Sequence, residues 1–269
     1  MNKYRYKSKK YQQKFLNLQT KNNMERAIDE INKSNTLSFQ FVDIELSPKE
    51  KIAIDNSEVT KPGEYNYYGI GSNPELVNKI AIFLDSLGKA NKSKLLANVL
   101  VNRIMKSFVG VLDVDSIWLT IRAIPSAVSY YDIPRWHFDG KFYDSDSAYQ
   151  LKLAGVLKGP ATLFKENTKE MRNVFVPIFE EHIRSPEYKN RDKEKDLERR
   201  KIMDEKIREF NTMTPKENQV VIFVVGNKER DAIHSEPKID GPRIFFSIVA
   251  GNKDQIKEMA NRHDAEFVY

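Results

Sequence analysis

The 269-residue chain has no cysteine. A disulfide scaffold, a zinc–thiolate centre and a cysteine nucleophile are therefore excluded. Histidine is almost as scarce: positions 137, 182, 234 and 263 hold all four copies, so any imidazole chemistry must draw on these. No uninterrupted apolar run approaches the roughly 18 residues of a membrane helix. The opening stretch, MNKYRYKSKKYQQKF, lacks the apolar centre of a secretory signal. The expectation is a cytoplasmic protein without a membrane segment. Acid is missing from the first fourteen residues, where Lys3, Arg5, Lys7, Lys9, Lys10 and Lys14 supply six positive charges. The formal net charge of the whole chain is +6, so residues 15–269 are formally neutral. The basicity belongs to a tail over residues 1–15, not to a broad face. Tyr4, Tyr6 and Tyr11 interleave with it, which would suit stacking on single-stranded nucleic acid; a solvated flexible tail is the plainer reading.

What is present suffices for a core: 40% hydrophobic and 11% aromatic residues indicate a globular protein. Met24, Ile28 and Ile31 form a helical stripe over 22–33, and 37–46 (LSFQFVDIEL) reads as a strand. Residues 47–72 look loop-like. Asn73, Pro74 and Glu75 open one helix, and Ser93 opens another with Leu96, Leu100, Ile104 and Phe108 on one side. After Gly110 the texture turns to β: SIWLTIRA (116–123), YQLKLAGVL (149–157), NQVVIFVV (218–225) and RIFFSIVA (243–250), bounded by turn residues. Without β–α–β alternation this predicts an antiparallel sandwich or barrel. A charged helix opened by Ser185 and Pro186 interrupts the series. The expected organisation is a tail (1–15), a mainly helical support region (16–110) and a β core (111–269) with a helical insertion at about 165–211.

The chemistry centres on RWHFDG (135–140). In an extended segment His137 and Asp139 share one face and Phe138 takes the other. An imidazole and a carboxylate so placed can bind one ion, or form an ordinary surface hydrogen bond. A third ligand must come from elsewhere. His234 follows the strand VVIFVV and precedes RIFFSIVA, which suits a residue brought back beside the pair. Two histidines and one carboxylate on one face of a metal form the facial triad of non-haem Fe(II) oxygenases. A cosubstrate with a distal carboxylate needs a cation nearby. Arg243 opens the next strand, with Phe245 and Ser247 on the same face, and could form a bidentate pair with such a carboxylate.

The order WHFD (136–139), GPATLF (159–164), PKENQVVIF (215–223), HSEPKIDGPR (234–243) and FFSIV resembles the Fe(II)/2-oxoglutarate-dependent dioxygenases, in particular their prolyl-hydroxylase-like members. The resemblance covers about residues 115–250. Pro160 stands where the family has the second glycine of a pair. The resemblance implies an α+β protein whose core is a double-stranded β-helix, or jelly roll, flanked by the N-terminal helices and the insertion. It implies that His137, Asp139 and His234 bind Fe(II). Arg243, with Ser247 nearby, would receive the far carboxylate of 2-oxoglutarate, and Tyr149 could supply a phenol to the same group. Thr162, Arg122, Trp136, Phe138, Tyr131 and Phe245 are candidates for lining the pocket, each with ordinary packing as the alternative. With Asp139 present no ligand position is vacated for halide. The implied reaction is therefore hydroxylation of a C–H bond with O2 and 2-oxoglutarate, releasing succinate and CO2. A protein side chain or a small molecule is the favoured substrate; nucleic acid is left to the basic tail. Two alternatives stand beside this: a cupin-type metal protein that does not use 2-oxoglutarate, and a non-catalytic binding module on the same barrel.

Overall fold

The computed structural model describes residues 2–88, 92–125, 132–190 and 192–269, with side chains from position 11 onward except at 187 and 189. The chain begins with helix α1 (Asn2–Lys33), then β1 (Phe39–Asp43), α2 (Pro48–Asp55), β2 (Gly63–Ile70) and α3 (Leu76–Ser86). Next come α4 (Ser93–Asn98), a π-helical segment (Val99–Met105) and α5 (Lys106–Leu112), which run on as one helix. Strands β3 (Ser116–Ile124), β4 (Gln150–Lys158) and β5 (Leu163–Lys165) lead into α6 (Lys169–Arg184), α7 (Pro186–Lys189) and α8 (Lys193–Ile207). The remainder is β6 (Thr212–Met213), β7 (Gln219–Val225), β8 (His234–Ser235), β9 (Arg243–Gly251), α9 (Lys253–Arg262) and β10 (Phe267–Val268).

The result is a mixed helix-and-sheet protein with two sheets. The larger has seven strands in the order β1-β7-β4-β9-β3-β2-β10, antiparallel except for the β10–β2 pair. The smaller has the order β6-β5-β8. Alternation along the large sheet assigns its two faces. Ile117, Leu119 and Ile121 of β3, Leu153 of β4, Ile222 and Val224 of β7, and Ile244, Phe246 and Ile248 of β9 pack on the N-terminal helices. There they meet Met24, Ile28 and Ile31 of α1, Leu76, Ile80 and Leu84 of α3, and Leu96, Leu100, Ile104 and Phe108 of the long helix. The opposite face carries Thr120, Lys152, Ala154, Phe223, Arg243, Phe245 and Ser247. The four expected strands after Gly110 are thus β3, β4, β7 and β9.

Two sequence expectations change. The helix expected over 22–33 starts at Asn2, so the basic segment is the first part of α1 rather than a separate tail. The segment 47–72 is not loop: it contains α2 and the eight-residue β2. Glu64 and Asn66 alternate with Tyr65 and Tyr67, which face the helices, and pairing with β3 from Gly63↔Ala123 to Ile70↔Ser116 fixes β2 as a strand. One helix, Ser93–Leu112, is long and apolar enough to cross a membrane by length and composition, although polar residues break its apolar run. Here 56% of its most apolar window is buried against the sheet. It also carries a wholly buried Arg103, whose guanidinium makes two 2.9 Å hydrogen bonds to the buried Glu50 and reaches Asn17 and the Glu45 carbonyl. That fork ties α1, α2 and the long helix together.

Candidate metal and carboxylate site

Between the inner faces of the two sheets lies a cavity of about 280 Å³. Its position follows from local pairing. His137 N donates to His234 O at 2.9 Å and His234 N donates to His137 O at 2.8 Å, an isolated antiparallel bridge that sets the residues directly opposite. His234 in turn pairs with Phe164 of β5. Alternation in the WHFD segment works as expected. Arg135, His137 and Asp139 line the cavity. Trp136 and Phe138 point the other way, onto the insertion. Trp136 Nε1 donates to Asp204 of α8 at 2.9 Å, and Phe138 packs on Phe175 and Phe179 of α6. The insertion therefore backs the ligand-bearing segment. A wider cavity of about 830 Å³ lies between them, lined by Phe179, His182, Tyr188 and Met203 among others, and it shares Arg135, His137 and Asp139 with the first.

Each of His137, Asp139 and His234 offers one ligand atom, and these atoms all lie within 4.8 Å of one another. The imidazoles are already oriented. His137 Nδ1 lies 2.7 Å from the Arg135 carbonyl and His234 Nδ1 lies 2.9 Å from the Ala232 carbonyl. A carbonyl only accepts, so both Nδ1 atoms carry the proton and both Nε2 lone pairs are available to a cation. Burial, with His137 next, pushes His234 down to about 3, so it stays neutral at physiological pH. Burial alone would raise the Asp139 carboxyl; Lys152 first, then His234 and His137, override this and hold it well below the usual carboxylate range. Two imidazole nitrogens and one carboxylate are a donor set that fits a divalent metal.

Arg243 is buried in the same cavity. Its Nε donates to the Pro160 carbonyl at 2.9 Å, Nη2 reaches Thr162 Oγ1 at 3.4 Å, and the guanidinium lies over Phe245, 4.9 Å from the ring centre. Gly159 makes this possible. It sits at φ +87°, and a Cβ there would come within 2.4 Å of the Pro242 carbonyl and 2.9 Å of Arg243 Cα. Pro160 is thus compatible with its place, since it serves the arginine through its carbonyl. Ser247 lines the cavity four residues further along β9, flanked by Thr120 and Ala154 on the neighbouring strands.

Tyr149 is not brought here. It shares parity with Leu151 and Leu153, and so belongs to the helix side of β4. Its hydroxyl donates to Asn32 of α1 at 2.7 Å, and the Arg230 guanidinium covers its ring. Arg122 does line the cavity, at a half-exposed position paired with Glu64. Tyr131 lies outside the described residues. Two features escape the sequence reading. Lys152 projects into the cavity, its Nζ 2.8 Å from Asp139 Oδ2 and facing the Phe142 and Phe223 rings. An ionisable residue of cavity parity in the apolar strand LKLAGV was the signal. Arg135 and Glu236 form an ion pair at the cavity wall.

No protein-family model and no curated protein matches the sequence. Among solved structures, the chain is similar to a rice dioxygenase for auxin oxidation, at 9% identity and a TM-score of 0.46, covering 86% of this chain and 79% of that one. It is similar to a Kdo hydroxylase, a non-heme Fe(II) alphaketoglutarate-dependent dioxygenase, at 14% identity and a TM-score of 0.43, covering 88% and 87%. A Pseudomonas putida prolyl-4-hydroxylase matches at 11% identity and a TM-score of 0.38, covering 85% and 98%. These are distant likenesses.

Proposed function

We propose that the chain is an Fe(II)- and 2-oxoglutarate-dependent oxygenase built on a double-stranded β-helix core, acting on a C–H bond of a protein side chain or a small molecule. The observation that carries this is the meeting in one cavity of the His137, Asp139 and His234 donors with the buried guanidinium of Arg243. Iron bound there would supply the oxidation itself, coupling O2 and the loss of CO2 from 2-oxoglutarate to hydroxylation, with succinate as coproduct.

The protein's share of the work is binding and orientation. His137 and His234 present Nε2 because each Nδ1 proton is held by a carbonyl. Asp139 stays ionised and supplies the one negative charge of the donor set. A metal held by His137, Asp139 and His234 would take three ligands from the protein and could accept the cosubstrate and O2 as well. Arg243 receives the far carboxylate of the cosubstrate, held in place by the Pro160 carbonyl, Thr162 and the Phe245 ring; Ser247 adds a hydroxyl nearby. A planar fork fixed on three sides binds a carboxylate with little loss of conformational freedom. Phe142, Phe223 and Phe245 limit the water in the cavity.

The test is an anaerobic titration with Fe(II) and then 2-oxoglutarate, following the visible iron-to-cosubstrate charge-transfer band, with succinate release measured afterwards in air. A band in the wild type establishes the cosubstrate. Bound iron without a band indicates a cupin-type metal protein, and no bound metal indicates a binding module.

A further inference from the structure

The His137–His234 bridge has a consequence two residues away. In an antiparallel pairing, a step back along one segment matches a step forward along the other. Two steps from each histidine, on the same face, bring Arg135 opposite Glu236. Their side chains meet there. Arg135 Nη2 donates to one Glu236 oxygen and Nε donates to the other at 3.3 Å, a two-pronged contact at the cavity wall. The strand pairing on this side is short. β8 is two residues long, and the bridge is isolated among the described residues.

We propose that Arg135 and Glu236 are positioning residues for the metal site. Their fork locks the register between the segment carrying His137 and Asp139 and the segment carrying His234, and so sets the spacing of the three donors. This rests on the reading of the cavity as a divalent-metal site. The Arg135 side chain is 45% exposed, so the pair itself adds little to global stability. Its effect belongs in metal affinity, where losing a partner that orients ligands costs about 10–100-fold.

The experiment is anaerobic Co(II) titration of the full chain by calorimetry, with the Co(II) absorption spectrum as a readout of ligand geometry. The proteins are the wild type, Arg135→Met, Glu236→Gln and the exchanged pair Arg135→Glu with Glu236→Arg. Electrostatics alone predicts opposite signs: removing the arginine charge should tighten Co(II), and removing the glutamate charge should weaken it. A register lock predicts that both single variants bind Co(II) about 10–100-fold more weakly with an altered spectrum, and that the exchanged pair recovers most of the loss. Opposite signs, or wild-type affinity and spectrum in both single variants, overturn the lock alone. A wild type that binds no Co(II) overturns the metal reading and the lock together.

Discussion

The ammonium group of Lys152 sits 2.8 Å from Asp139 Oδ2, on the same carboxylate that the two histidines face. Both side chains are largely withdrawn from solvent, at 15% and 18% exposure. Lysine therefore balances the Asp139 charge in the metal-free protein, and a dication held by the proposed triad would compete for the same carboxylate. Lys152→Met leaves the carboxylate unmatched and should destabilise the metal-free protein by up to about 3 kcal/mol. It also removes a positive charge beside the metal position. Thermal unfolding with and without Co(II) checks both effects: the metal-free variant melts lower, and its rise on adding Co(II) exceeds that of the wild type. An equal rise would show that Lys152 and the metal do not compete.

Arg243→Ala should separate cosubstrate from metal. The guanidinium lies on β9, away from the three donors, so Co(II) affinity stays within about twofold. The 2-oxoglutarate needed for half the charge-transfer signal rises about 30-fold or more, from the roughly 2–5 kcal/mol that a buried charged partner is worth. Equal losses for metal and cosubstrate would show that Arg243 supports the cavity rather than the carboxylate.

Gly159→Ala tests how Arg243 is held. The position has φ +87° and no room for a Cβ against the Pro242 carbonyl. The cost is about 1–3 kcal/mol of stability. The displaced 159–160 segment carries the carbonyl that accepts from Arg243 Nε, so 2-oxoglutarate affinity falls while Co(II) affinity holds. Melting curves with the two titrations read this directly.

The Glu50–Arg103 fork predicts a pH dependence independent of any metal. Burial would raise the Glu50 carboxyl; Arg103, with help from Ser47, lowers it below its ordinary value. A carboxyl with a depressed folded-state pKa contributes stability that is present above its unfolded value, about 4.3. That contribution is lost as pH falls through the folded value. Arg103→Met leaves Glu50 buried without its partner and should cost about 3–5 kcal/mol at neutral pH. Glu50→Gln should flatten the acid limb of the melting temperature below pH ~4, by the same linkage. An unchanged limb would show that other carboxylates control acid unfolding.

The residues that sequence reading reached are those whose local pattern carries their placement. Alternation alone put His137 and Asp139 on one face and Phe138 on the other. It also grouped Arg243, Phe245 and Ser247, because strand parity is set by the backbone and survives without tertiary information. The same rule, applied to β4, places Tyr149 with Leu151 and Leu153, away from the cavity, and Lys152 within it. What the sequence did not disclose depends on pairing between distant segments. The Arg135–Glu236 contact needs the bridge that sets His137 opposite His234. Strand β2 alternates Glu64 and Asn66 with the core-facing Tyr65 and Tyr67, a short pattern inside a polar stretch that stands out only once it pairs with β3. The start of α1 at Asn2 was hidden for a related reason: a run of bases reads as solvated whether it is helical or not.

The hydrogen bond from Trp136 to Asp204 ties the helical insertion to the His137 segment. Trp136 is one residue before His137, and Asp204 lies on α8, part of the unit α6–α8 that connects β5 to β6. Trp136 and His137 are joined by one peptide bond, so the contact with α8 lies next to a residue of the proposed triad. The helical insertion and the His137 segment thus form one packed unit, held by the Trp136–Asp204 hydrogen bond and by Phe138 on Phe175 and Phe179.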